Sequence, residues 1–329
     1  MATPLSERPG VLGAFARFYR RTYLGDYVGF VLLQAAYLIT KFLITPVHRP
    51  FLISDLRISH EYANPERVTT YENFLYAGVA PLVVIVLYCV AVRPGFHRSH
   101  VTILGFLISL SFSGFLTHVF KNAIGRARPD LLARCVIKKG TPADVLVTIS
   151  VCEQTDQYKL NDGWRSFPSG HSSFAWAGLG YLSLFLAGQL HTLRPRTDLA
   201  RVLVTVCPLL GAFLVAASRT ADYRHDVYDV TAGSILGFIV ALFGYRRYYP
   251  SPLSPNCHLP FPSPLDDTKA ERRLPSARQD EEDARSQAES FDLNDLTEEE
   301  DEDESHERQP LTTGNGTQSR GKPKRGDSE

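Results

Sequence analysis

Three short clusters hold the side chains best suited to chemistry. Lys121 is followed by Arg126 and Arg128-Pro129; the run Ser166-Phe167-Pro168-Ser169-Gly170-His171 comes next; Ser218-Arg219 precedes His225 and Asp229. Singly, each has a plain explanation. A Lys or Arg beside an apolar stretch anchors it at a membrane surface, a lone His caps or packs, and Ser-Gly before a helix punctuates the chain. Jointly, the cations and both histidines fit phosphoryl transfer. Lys121, Arg128 and Arg219 supply fixed positive charge, and a guanidinium can hold two phosphate oxygens at once. Ser169 and the peptide N–H groups around Gly170, at a helix start, make an anion site, and Gly170 has no side chain to hold phosphate off the backbone. Asp229 is four residues beyond His225, on the same helical face if the helix has begun there. Its carboxylate could then hold the imidazole in one tautomer and stabilise its cation. His225 is the candidate nucleophile, and His171 the candidate acid for the departing alkoxide. The cations would stabilise charge on the equatorial phosphate oxygens.

These clusters must be positioned by the apolar segments around them. A helix needs about 20 mainly apolar residues to cross a bilayer, and six stretches qualify: Tyr27–Val47, Asn73–Val92, Val101–Phe120, Ser172–Leu190, Val202–Ala217 and Val227–Tyr245. The first is interrupted by Gln34 and Lys41, and the fifth is short. The expected fold is all-α, a polytopic membrane bundle of six transmembrane helices. Basic residues in short loops set its orientation. Arg8, Arg17, Arg20 and Arg21 place the N-terminus in the cytosol, with Arg93, Arg98, Arg194, Arg196, Arg201, Arg246 and Arg247 on the same side. All three polar clusters then emerge on the luminal or extracellular side. The basic loop between the third and fourth spans breaks the charge rule there, as a site that binds phosphate would require. Residues 1–26 lack the pattern of a cleaved signal peptide. Leu12, Phe15, Phe18 and Tyr19 among the arginines suggest a short helix on the inner surface.

The 329 residues carry 35 basic and 35 acidic side chains, but unevenly: from Phe261 onward there are 10 basic and 20 acidic residues. A mean hydropathy of -0.11 therefore averages an apolar body and a polar tail. Six prolines between Pro250 and Pro264, followed by the acidic run Glu298–Glu304, predict a disordered cytosolic tail over 250–329. Residues 27–249 form the expected catalytic domain. Cys135 and Cys152 share the long outer loop, where an oxidising compartment would let them form a disulfide.

In pattern form the clusters read K-x6-R-P, P-S-G-H and S-R-x5-H-x3-D, complete and in order. They resemble the three signatures of the type 2 phosphatidic acid phosphatase superfamily, and the six spans resemble its lipid phosphate phosphatase branch. The wording Asp222-Tyr223-Arg224-His225 and the Pro-rich acidic tail look most like fungal diacylglycerol pyrophosphate/phosphatidate phosphatases. The resemblance implies a phosphohistidine on His225 oriented by Asp229, protonation of the leaving group by His171, and phosphate binding by Lys121, Arg128, Ser169, Gly170 and Arg219. It implies no cofactor and no metal, and membrane lipid phosphates as substrates. Isoprenoid diphosphates and sphingoid-base phosphates stay open as alternatives. Nothing in the pattern points to nucleic acid or fixes an oligomeric state. Asp226-Val227 stands where many relatives have His-Trp, which bears on substrate fit.

Two rival readings use the same residues. His171, His225 and Asp229 could ligate a metal, but three neighbouring cations would repel a dication. Six spans with charges could form an anion transporter, but transporters bind near the bilayer midplane, and these residues sit at span ends.

Overall fold

The computed structural model describes residues 10–263. Its regular elements are helical, with no strand among the described residues: α1 (Val11–Arg21), α2 (Leu24–Phe42), α3 (Thr70–Val92), α4 (Phe96–Ile124), α5 (Leu131–Cys135), α6 (Gln157–Asp162), α7 (Gly170–Leu190), α8 (Leu199–Ala221) and α9 (Val227–Tyr248). The helices start and stop where local chemistry dictates. Asp198 caps α8 by accepting from the Arg201 N–H, and Asp226 and Asp229 form a capping box on α9. Pro81 brings no N–H to the helical ladder, and the turn before it, Leu75–Val79, is a π-helix.

Four helices, α3, α4, α8 and α9, are long and apolar enough to cross a membrane, and the chain is an integral membrane protein. The first and fourth expected spans do form helices, α2 and α7, but fall short of that standard. In α2 the reason is Asp26, Gln34 and Lys41. In α7 it is the wealth of Gly and Ser, with His171 and Gln189; the small residues follow from position, since α7 packs against α9, α8, α4 and α3. A helix surrounded by other helices needs small residues for close approach more than it needs hydropathy. Gly233 of α9 shows how close: a Cβ there would lie 2.6 Å from the Ser169 carbonyl oxygen. The outer faces of α8 and α9 are apolar and exposed, at Leu203, Leu210, Phe213, Ile235 and Ile239 among others. Toward the end of the bundle that carries Arg98 and Tyr249, the core gathers Val101, Phe106, Tyr181, Phe185 and Tyr245.

The opposite end is covered by two long connections, 43–69 and 125–169. They share a second core of Phe51, Ile58, Leu131, Cys135, Val147, Leu160 and Trp164, pinned by an antiparallel bridge between Phe51 and Val147. Cys135 and Cys152 are joined as a disulfide. α4 runs past the expected limit of Phe120 to Ile124, so Lys121 sits inside the helix and not after it. Gly125 then ends α4 in a left-handed conformation, with φ 58°. It is also pressed against the chain leaving α2, where a Cβ would meet the Val47 carbonyl.

Two expectations at the ends of the body need correction or fall outside it. Disorder from 250 onward does not hold for 250–263. The prolines exclude helix there, yet turns pack the segment onto helix ends, with Cys257 buried against the Gly188 carbonyl and the Phe261 N–H bonded to the Tyr248 carbonyl at 2.8 Å. The acidic run at 298–304 and the rest of the expected tail lie outside the described residues.

Candidate active site

Between the covering loops and the ends of α2, α3, α4, α7 and α8 lies a cavity of about 840 Å³. Six residues singled out from the sequence line it: Lys121, Arg128, Gly170, His171, Arg219 and His225. They come from five different pieces of backbone. Lys121 is one turn from the end of α4, Arg128 follows the Gly125 turn, Gly170 and His171 open α7, Arg219 is in the last turn of α8, and His225 lies in the α8–α9 connection. His225 thus precedes its helix by two residues, so the shared helical face expected with Asp229 is replaced by a contact across the cap.

The cations are held in place before any ligand arrives. Lys121, buried, donates from Nζ to the Arg165 carbonyl at 2.5 Å. Arg128 donates to the Asp162 carbonyl (2.8 Å), the Asp162 carboxylate (2.9 Å) and the Arg224 carbonyl (3.1 Å). Arg219, 1% exposed, spans Glu66 at 2.7 Å and Asp222 at 3.0 Å. Burial alone would raise the Asp162 carboxyl, but the Arg128 and Arg134 guanidiniums hold it well below the usual carboxylate range. Burial pulls the Arg128 guanidinium down, against the pull of Asp162, and Arg nonetheless keeps its charge in proteins.

His225 sits between Arg128 and Asp229. Its Nε2 lies 3.2 Å from Nη1 of Arg128. A guanidinium only donates, so Nε2 must accept, and the proton of the neutral ring belongs on Nδ1. Nδ1 faces Asp229 Oδ2 at 3.7 Å, longer than a hydrogen bond. Burial, then Arg128, Lys121 and His171 nearby, push the His225 imidazole well below the ordinary histidine value, which favours that neutral ring. Asp229 is fully buried and already engaged: Ser166 Oγ donates at 2.5 Å, Arg126 Nη1 at 2.8 Å and the Asp226 N–H at 3.1 Å. His171 presents a buried Nε2 that has no hydrogen-bond partner among the described residues. Ser169 does not line the cavity. Its hydroxyl caps α7, accepting from the Ser172 N–H at 3.4 Å, and its own N–H donates to the Asp229 carbonyl at 2.9 Å.

A cup of cations beside a neutral imidazole with its lone pair turned inward is equipped to bind phosphate and attack it. Comparison with known proteins leads the same way. Residues 102–252, which include all three clusters, match the PAP2 superfamily. "Diacylglycerol pyrophosphate phosphatase 1" of Saccharomyces cerevisiae is 44% identical over 227 residues, 68% of this chain and 78% of the relative. The chain belongs to the PAP2 superfamily. It is an enzyme of that superfamily, a phosphatase. "Probable diacylglycerol pyrophosphate phosphatase 1" of Schizosaccharomyces pombe is 36% identical, over 73% of this chain and 85% of the relative. "Lipid phosphate phosphatase 2" of Arabidopsis thaliana is 35% identical, over 72% and 80%. No solved structure matches the chain.

Within this PAP2 site several residues are structural partners that motif spacing does not reveal. Glu66 binds both Arg219 and Arg224. Asp162 ties Arg128 to Arg134. Ser166 and Arg126 fix Asp229. Ser166 and Arg126 lie beside the motifs and could have been suspected on that ground. Glu66 and Asp162 read as ordinary loop charges, since their partners come from distant parts of the chain.

Proposed function

We propose that the protein is a six-span lipid phosphate phosphatase that hydrolyses phosphatidate, diacylglycerol pyrophosphate and related lipid phosphates. It works without a metal ion, through a phosphohistidine on His225, at a site on the luminal or extracellular side of its membrane. The observation that carries this reading is the convergence of Lys121, Arg128, Arg219, His171 and His225 on one cavity. The relatives named for diacylglycerol pyrophosphate and lipid phosphates support the substrate class.

In this mechanism the phosphate displaces the 3.2 Å contact between Arg128 and His225 and takes donors from Lys121, Arg128, Arg219 and the backbone at Gly170. Negative charge spread over its equatorial oxygens is balanced by these cations, the electrostatic role that a dication would otherwise have. The lone pair on Nε2 of His225 attacks phosphorus in line as the ester P–O bond breaks. His171, protonated once the bound phosphate offsets the cations around it, gives its proton to the departing oxygen, and a neutral diacylglycerol leaves when the substrate is phosphatidate. The new N–P bond makes the ring cationic, and Asp229 then draws close to Nδ1–H, since contacts of this kind tighten on the reaction path. Water, deprotonated by His171, hydrolyses the N–P bond and releases inorganic phosphate.

Phosphate release by the full-length protein, purified in detergent and assayed in EDTA, tests this. Both lipids should yield phosphate, and His225→Ala should lower the rate about a thousandfold or more while melting like the wild type. No release from either lipid would defeat the function, and wild-type rates in His225→Ala would defeat the mechanism.

A further inference from the structure

The cavity continues past the residues the reaction uses. Inward along α4 its wall passes from Lys121 to His118 and Gly114, and opposite stand Tyr37 and Lys41 of α2 and Asn73 of α3. Lys41 is a charge within the first expected span, and its ammonium lies over the rings of Tyr37 and Phe42, 5.5 and 5.1 Å from their centres. The His118 ring meets Tyr37 edge-on at 5.4 Å, and its Nδ1 is buried without a partner among the described residues. Asn73, 5% exposed, likewise has a buried Oδ1 with no partner there. Half a turn of that amide would present its N–H groups instead. The carboxylates lining the cavity, Glu66, Asp156 and Asp162, belong to the covering loops and α6. The inner end therefore offers a cation and two unsatisfied polar groups with no carboxylate to answer them. Snorkelling explains Lys41 alone; it does not explain why His118 and Asn73 leave polar atoms unpaired around the same space.

We infer that this inner end is a second phosphate subsite, which holds the inner phosphate of a lipid diphosphate while the outer phosphate sits at His225. The inference rests on the lipid phosphatase reading and deepens it. His118 is three residues before Lys121, about 4.5 Å down the helix axis, a step suited to adjacent phosphate groups. The order also suits the bilayer, because α2, α3 and α4 frame the inner end and acyl chains approach from the lipid beyond them. With a diphosphate the leaving group is a phosphate oxygen on which negative charge develops. Lys41, with N–H groups of His118 and Asn73, would stabilise that oxygen and the inner phosphate. A monophosphate has nothing to place there.

Two readouts on the full-length protein in detergent test this. In the first, thermal stabilisation is titrated with inorganic phosphate and with inorganic pyrophosphate. Lys41→Gln and, independently, His118→Gln should raise the pyrophosphate midpoint about tenfold or more, the scale of one lost charge-assisted hydrogen bond, and should move the phosphate midpoint far less. In the second, the ratio of kcat/KM for diacylglycerol pyrophosphate over phosphatidate with matched acyl chains should fall by a similar factor. Midpoints for the two anions that shift together, or do not shift, would overturn the subsite. Loss of turnover on both lipids by the wild type, with the anion pattern intact, would sink the phosphatase reading and leave the subsite standing.

Discussion

His225 has to be neutral to attack phosphorus, and its surroundings enforce that state. Burial comes first, and Arg128, Lys121 and His171 add to it by disfavouring another positive charge. The same push has a cost that can be measured. A histidine whose folded value lies below its unfolded value of about 6.5 contributes nothing above that pH. As pH falls below it, the unfolded chain takes up a proton that the folded chain resists, so stability is lost. His225→Gln removes this liability. Its melting temperature relative to the wild type should therefore rise between pH 8 and pH 5, and a pH-independent difference would contradict the neutral imidazole. His171 answers to a different test. If it protonates the departing oxygen, His171→Ala should cost about a hundredfold or more on phosphatidate and much less on an activated aryl phosphate, whose leaving group needs no proton. Equal losses on both would remove the acid role. Residue types and spacing made the members of this cup legible. That the 3.7 Å contact expected between His225 and Asp229 runs across a helix cap was not, because it depends on α9 starting two residues after His225.

At the scale of elements, the site hangs on helix ends braced by the covering loops. Lys121, His171 and Arg219 come from the ends of α4, α7 and α8, while Arg128 and His225 come from the chain between helices. The loops act as a scaffold through one chain of charges: Arg134 of α5 binds Asp162 of α6 at 2.9 Å, and Asp162 binds Arg128. The Cys135–Cys152 bond closes a loop of 17 residues next to Arg134. A loop of this size constrains the unfolded chain by about 3 kcal/mol. The double variant Cys135→Ser/Cys152→Ser should lose stability on that scale in detergent, and unchanged melting would show that the second core holds the loop unaided. Hydropathy was a good guide to the helices that face lipid and a poor one elsewhere. It ended the third span at Phe120 because Lys121 and Asn122 are polar, although both are buried at that helix end. It also could not anticipate that α7 would be enclosed by other helices.

At the scale of the whole molecule, the basic body and acidic distal tail average to zero formal charge, and the body's arginines fall into two classes with different work. Those at the end bearing Arg98 and Arg246 are the ones from which the charge rule expects a cytosolic side, whereas Arg126, Arg128, Arg134, Arg219 and Arg224 at the opposite end are tied to carboxylates or carbonyls around the cavity. The charge rule for topology counts both classes alike, so the loop between α4 and α7 looked anomalous until its arginines were seen as part of a site. The central claim is that this site passes a phosphoryl group through His225. It is tested most directly by quenching full-length protein during turnover of phosphatidate labelled in its phosphate and mapping the acid-labile label. The label should be found on the peptide that contains His225 and should be missing from His225→Ala. Sustained turnover with no protein-bound label, or with the label on another residue, would contradict the account.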